Sequence, residues 1–258
     1  AFWLDDASGN MISSTYYMNQ LPEWVSAFNQ QQLIQQYMQN EWQTLYPIKT
    51  YTQSEPDALK FEQKKDNKPN ATFPYKLASV YEKSKSTFRY TPFGNTFILD
   101  FAKKAMQGYA LGKSNATDFL TINCASTDYV GHRFGPNSIE VEDTYLRLDK
   151  DLATFFHYLD SAIGKGQYLI FLTADHGAAH AVGFNEEHHI PADIWNDGNI
   201  KDSLNAFLKT EFGIEKLALT ISNYQVFLNE EKIKVNQLDR EKVRNSIIQK
   251  IKNMPGVK

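Results

Sequence analysis

The stretch Leu169–His180, LIFLTADHGAAH, decides the fold. An apolar, strand-like run leads straight into Asp175 and His176, with Gly177 behind them. Both groups are costly to bury at the end of a buried strand. Side by side at that place they make sense if a cation sits between them.

Upstream, TDFLTINCA (residues 117–125) reads as a second strand, and the segment between the two is helical. Val141, Tyr145, Leu148, Leu152, Phe155, Phe156, Leu159 and Ile163 recur at threes and fours before GKG ends the run. Asn137 and Glu140 have capping-box spacing at its start, with Asn in place of the usual Ser or Thr. Strand, helix, strand with so long a crossover requires a parallel pair. Parallel neighbours end on the same sheet edge, so residues after Thr127 and after Ala174 face one crevice, where open α/β sheets bind ligands.

The rest of the chain fits this α/β reading. AFWLDDASGNMISSTYYM (1–18) carries two β-type runs around the turn-rich DDASGN and reads as a hairpin. Pro22 at a first helical position opens helical stretches whose aromatic residues are packing anchors. Pro47 to Thr91, with Pro56, Pro69, Pro74 and EQKKDNKPN, reads as a long polar surface excursion. A helix follows from Asn95, with Ile98, Ala102, Ala105, Met106 and Tyr109 on one face and a stop at Gly112. After the second core strand, SLNAFLKTEFG reads as a short helix and LALTISNYQVFLNEEKIKV as short strands joined by NEEK. Asp239 caps a last helix through Ile251. Residues 1–94 are thus expected to form a cap-like insertion, and 95–258 part of the α/β core.

Composition narrows the function classes. With 258 residues, 42% of them hydrophobic, the chain can bury a sizeable core. A net charge of -3 and a pI near 6.1 give no basic stripe for nucleic acid or an anionic membrane. No apolar run reaches the ~18 residues of a membrane span. The single cysteine, Cys124, excludes an internal disulfide framework and a CxxC site, and its strand context reads as a buried, inert thiol. The chain opens at Ala1 inside a folded-looking segment, which reads as a fragment or processed form.

Four residues converge at the predicted sheet edge: Asp128, His132, Asp175 and His176. Mixed carboxylate and imidazole donors suit zinc, and also manganese or iron. Alternatives exist for each pair. Asp175 also reads as the cap of a helix starting at His176, His176 as a hydrogen-bonded core histidine, and Asp128 and His132 as loop residues. Two such pairs at one edge of a βαβ unit favour a metal site. His180, His188 and His189 belong to a polar segment and read as non-ligands, and His157 as structural. Arg133, beside His132, reads as a solvated surface cation, the alternative being an approach to an anionic substrate.

STDYVGH followed by TADHG resembles the metal-binding segments of the alkaline phosphatase superfamily. The stretch from Thr127 to His180 is most similar to its type I phosphodiesterase/nucleotide pyrophosphatase group, especially the single-chain zinc alkaline phosphatases of flavobacterial, Bacteroidetes type. The opening AFWLDDASGNMISSTYY and the closing NMPGV resemble that group less specifically.

The resemblance implies a three-layer αβα sandwich with a mostly parallel central sheet, incomplete here, plus a hairpin-containing insertion. It implies a zinc phosphohydrolase using two Zn2+ ions and a covalent phospho-enzyme, Asp128 and His132 serving one zinc and Asp175 and His176 the other. The nucleophile is expected before Ala1 and a further His ligand beyond Lys258, so Thr127 and Thr173 are not assigned as nucleophiles. The fragment itself is then expected to be inactive, with weak or absent zinc. A sulfatase is disfavoured, since neither C-x-P-x-R nor S-x-P-x-R occurs in this piece. Phosphate-monoester hydrolysis is the first expectation, a nucleotide phosphodiesterase or a non-catalytic phosphate-binding domain the alternatives. The implied partner is a small phosphate ester, the implied state a monomer, and the implied location periplasmic or secreted.

Overall fold

The computed structural model describes residues 1–57 and 72–254. EQKKDNKPN, Pro69 and most of the closing NMPGV therefore lie outside the described residues. The chain divides into two compact units, Ala1–Phe184 and Asn185–Lys258.

The first unit begins with the predicted hairpin, β1 (Trp3–Asp5) antiparallel to β2 (Asn10–Ile12), with Leu4 opposite Met11. Its turn is local chemistry: the Asp5 carboxylate accepts from the Ser8 amide (3.0 Å) and hydroxyl (2.5 Å), and Gly9 takes a left-handed φ of +72°. Helix α1 (Glu23–Gln30) follows Pro22, which caps the helix rather than opening it. After α2 (Leu33–Gln39), β3 (Glu41–Trp42) pairs antiparallel with β4 (Tyr75–Lys76), which leads into α3 (Leu77–Lys83). The expected surface excursion is therefore partly core, for Tyr51, Leu77, Tyr81 and Phe88 are buried in it.

Helix α4 (Phe93–Gly108) is two-sided. Phe97 and Phe101, one turn apart, join Met11, Phe28, Trp42 and Val130 in one cluster, whereas Leu99, Ala102 and Met106 meet Phe155 and Leu159 in another. Residues before 94 thus share a core with residues after it. Tyr109 lies just past the helix end, exposed.

Two helices follow, α5 (Ser126–Phe134) and α6 (Ile139–Ala162). The long amphipathic run is the helix its periodicity predicts, but its cap is Ser138, whose hydroxyl accepts from the Val141 amide (3.3 Å). Asn137 turns elsewhere. The carboxyl of Glu140 is buried and accepts from the Tyr75 hydroxyl, and burial pushes it up to about 7. His157, read as structural, is exposed on α6.

The two segments read as neighbouring parallel strands are the main departure. Residues 117–124 and 168–174 belong to no hydrogen-bonded strand, and the described residues form only three two-stranded antiparallel sheets. A parallel strand draws its hydrogen bonds from sequence-distant neighbours. The described residues supply none here, and Phe119, Leu169, Phe171 and Leu172 are exposed by 76–89%.

The second unit has its own core of Leu204, Leu208, Leu217, Ile221, Ile233, Val243 and Ile247. α7 (Val182–Glu187) precedes it, and α8 (Asp197–Phe212) ends on left-handed Gly213. β5 (Ala218–Ser222) and β6 (Gln225–Leu228) turn at Asn223–Tyr224, not at NEEK. NEEK instead opens α9 (Glu230–Val235), because Asn229 accepts from the Lys232 amide (3.1 Å) and caps it. Asp239 caps α10 (Arg240–Lys252) as predicted.

Candidate metal centre

Asp128 and His132 stand on α5 rather than in a loop. Ser126, Val130 and Phe134 bury one stripe of that helix, and Asp128 sits about 200° around from Ser126, on the exposed side. The four-residue spacing then puts His132 over Asp128, with Nε2 3.4 Å from Oδ1.

Asp175 and His176 follow the apolar run in irregular backbone. The Asp175 carboxylate accepts from the His176 amide (3.1 Å), but no helix starts there, and the His176 side chain is 56% exposed rather than in a core. His176 Nε2 lies 3.6 Å from Asp128 Oδ1 and 3.8 Å from Asp175 Oδ2. The two motifs therefore meet, with Asp128 between two imidazoles.

The tautomer of His176 follows from its neighbour. Nδ1 is 2.8 Å from the Gly177 carbonyl, which only accepts, so Nδ1 carries the proton and a neutral ring turns the Nε2 lone pair toward the carboxylates. The Gly177 carbonyl, with Asp175 and then Asp128 beside it, holds His176 above the ordinary imidazole range. A lone pair facing a carboxylate needs a cation between them, either a proton or a metal.

Separations test whether a metal fits. Two ligands at about 2.0–2.1 Å from a tetrahedral ion stand roughly 3.3–3.4 Å apart. The Asp128–His132 separation of 3.4 Å matches that edge and exceeds an ordinary hydrogen bond. Carboxylate and imidazole donors suit zinc, but the Asp175–His176 separation of 3.8 Å is wider than that edge, so only the Asp128–His132 pair stands at zinc spacing. Among the described residues no group of three or more His, Cys, Asp or Glu side chains is placed to hold one ion.

Other histidines have other work. His180 donates from Nδ1 to Asn137 Oδ1 (2.8 Å) and stacks on Phe184 at 4.5 Å, tying the segment after TADHG to the α5–α6 junction. Asn137 stands one position before the Ser138 cap, and its side chain bonds His180 instead of the helix. His188 and His189 are exposed beyond α7. Arg133 lies over the rings of Tyr90 (5.4 Å) and Phe134 (5.6 Å), so it is packed rather than simply solvated. Cys124 is partly buried, and burial pushes its thiol up to about 11, as an inert thiol requires.

One residue near the site carries no motif. Asn95, 1% exposed in the first turn of α4, accepts from the Ser126 amide (3.2 Å) and donates to the Thr127 hydroxyl (3.0 Å), the two residues before Asp128. A lone Asn at a helix start gives no sequence signal for this.

The chain is 48% identical over its whole length to alkaline phosphatase PafA of Elizabethkingia meningoseptica, of which it covers 47%. It is 45% identical to alkaline phosphatase PhoV of Synechococcus elongatus, covering all of this chain and 46% of that protein. A Myroides odoratus protein named calcium-transporting ATPase is 44% identical, again over all of this chain and 47% of its own length. The crystal structure of wild-type PafA superposes with a TM-score of 0.93 at 48% identity, over 99% of this chain and 49% of that one. The fold is therefore the alkaline-phosphatase-like α/β fold, and the chain spans about half the length of the curated relatives it matches. The profile of the type I phosphodiesterase/nucleotide pyrophosphatase family matches residues 2–256, and the chain belongs to that family.

Proposed function

We propose that this chain carries metal-binding residues of a zinc-dependent phosphatase that hydrolyses small phosphate monoesters. The observation that carries the reading is the meeting of the two motifs, with Asp128 Oδ1 within 3.4 and 3.6 Å of two imidazole Nε2 atoms. Two of the relatives are named alkaline phosphatases, in agreement with it.

Asp128 and His132 would hold one zinc, Asp175 and His176 the other. Zinc bound there supplies Lewis-acid stabilisation of the charge that develops on phosphoryl oxygens. The two carboxylates offset the ions' charge, and the Gly177 carbonyl keeps the His176 proton on Nδ1 so that Nε2 stays available. The Thr127 hydroxyl accepts from Asn95, and the Thr173 hydroxyl donates to the Ala174 carbonyl at 3.3 Å, so neither is assigned as a nucleophile. The covalent phospho-enzyme of this reading forms on a Thr or Ser elsewhere in the full-length protein. A monomer in the periplasm or outside the cell completes the proposal. Among the described residues no helix is long and apolar enough to cross a membrane.

The family description favours a second reading, nucleotide phosphodiester hydrolysis. Full-length protein assayed with an aryl phosphate monoester, an aryl phosphodiester and ATP separates the two. The expected result is fastest turnover of the monoester, loss on exhaustive chelation and recovery with zinc. A faster diester places the protein in the second class, and undiminished turnover after chelation contradicts both.

A further inference from the structure

The metal-bearing helix does not cap itself. Ala125 is the cap residue of α5, with φ of -68° and ψ of -17°, and its methyl group has no acceptor for the open amides of the first turn. The acceptor comes from a residue 31 positions away, the Asn95 side-chain oxygen on the Ser126 amide at 3.2 Å. The same amide group donates to the Thr127 hydroxyl at 3.0 Å. Both ends of one buried side chain are thus engaged by the two residues that precede Asp128.

Gly94 makes the approach possible. A Cβ there would stand 2.0 Å from the Ser126 hydroxyl oxygen and 3.2 Å from its Cβ, so a side chain at 94 would force the buried Ser126 side chain to turn away from the seat. Behind the pair, buried Phe97 and Phe101 anchor α4 in the main cluster. Asp128 lies in the first turn of α5, the turn that frays when its amides lack partners.

We propose that Gly94 and Asn95 form a seat that sets the position of the Asp128 carboxylate, with Asn95 acting as a positioning residue through its trans cap on α5. The inference rests on the reading of Asp128 as a zinc ligand. With the seat intact, Asp128 stands where both His132 and His176 reach it; without it, the first turn loosens and the carboxylate loses that register.

The test uses the full-length protein, with zinc affinity read by competition against a chromogenic chelator, kcat and KM on an aryl phosphate, and thermal unfolding. Asn95→Ala is expected to weaken zinc binding about tenfold or more and to lower kcat with KM little changed. Thr127→Val, which removes only the hydroxyl, is expected to weaken zinc in the same direction by less. The double variant should match Asn95→Ala alone. A folded Asn95→Ala with parental zinc affinity and kcat, and only a lower Tm, overturns the inference. Should Asn95→Ala fail to fold, unchanged zinc affinity in Thr127→Val overturns it. A wild-type protein that binds no zinc tightly overturns the metal reading, and this inference with it.

Discussion

Asp143 on α6 and Asp128 on α5 carry the same carboxylate in opposite surroundings. Asp143 is wholly buried and fully met by donors. Trp42 Nε1 and Arg147 Nε reach Oδ2, both at 2.7 Å, while the Leu45 amide (2.7 Å) and the Tyr51 hydroxyl (2.5 Å) reach Oδ1. Burial, then the bond to Asp143, pushes the Tyr51 phenol up to about 12. Asp128 has a half-open side chain that faces ring nitrogens instead. A carboxylate whose lone pairs are filled by protein donors holds the fold together. One set beside two imidazole nitrogens, with the His176 Nε2 lone pair turned toward it, is arranged for a cation.

Substitution at the two positions should separate these roles. Asp143→Ala leaves four donors, the Arg147 guanidinium among them, without their acceptor at a buried carboxylate site, and is expected to cost about 3–5 kcal/mol of stability in denaturant unfolding. A loss below about 1 kcal/mol would show that the buried knot is dispensable. Asp128→Asn should do the reverse, changing stability by no more than about 0.5 kcal/mol while phosphatase activity of the full-length protein falls about 100-fold or more. Equal effects of the two substitutions on stability would erase the distinction.

Glu140 tests the buried side of the contrast by pH. Its folded-state pKa is raised from 4.5 to about 7 by burial, so its contribution to stability is full below the unfolded value and is lost as pH rises through about 7. The unfolding free energy of the wild type should fall by about 3 kcal/mol more than that of Glu140→Gln between pH 4.5 and 8. Parallel pH profiles would contradict the assignment. The smallest effect is expected at His180→Leu, which removes the bond to Asn137 at a cost of about 1 kcal/mol while zinc content stays at the wild-type level. Loss of zinc there would make His180 a ligand rather than a brace.

What the sequence reveals follows from the range of the interactions. The hairpin is legible because Asp5, Ser8 and Gly9 build its turn among themselves. α6 is legible because its stripe repeats at helical spacing, and the Asp239 cap because donor and acceptor are near neighbours. The four candidate ligands stand out because Asp and His beside apolar runs are costly unless they are used. The Asp143 knot spans 101 positions to Trp42, and Asn95 reaches α5 across 31, so neither leaves a local pattern. DFLTINC and YLIFLTA have strand composition, but composition does not supply the neighbours that a ladder needs. At NEEK the local competition goes to the helix, since Asn229 is a better helix cap than a hairpin turn residue.

The most direct test of the metal reading is the zinc content of the full-length protein and its Asp128→Ala and Asp175→Ala variants after identical dialysis. Two zinc ions per wild-type chain are predicted, with each variant losing the ion its pair holds and the phosphatase activity with it. Two ions and undiminished activity in both variants would contradict the account.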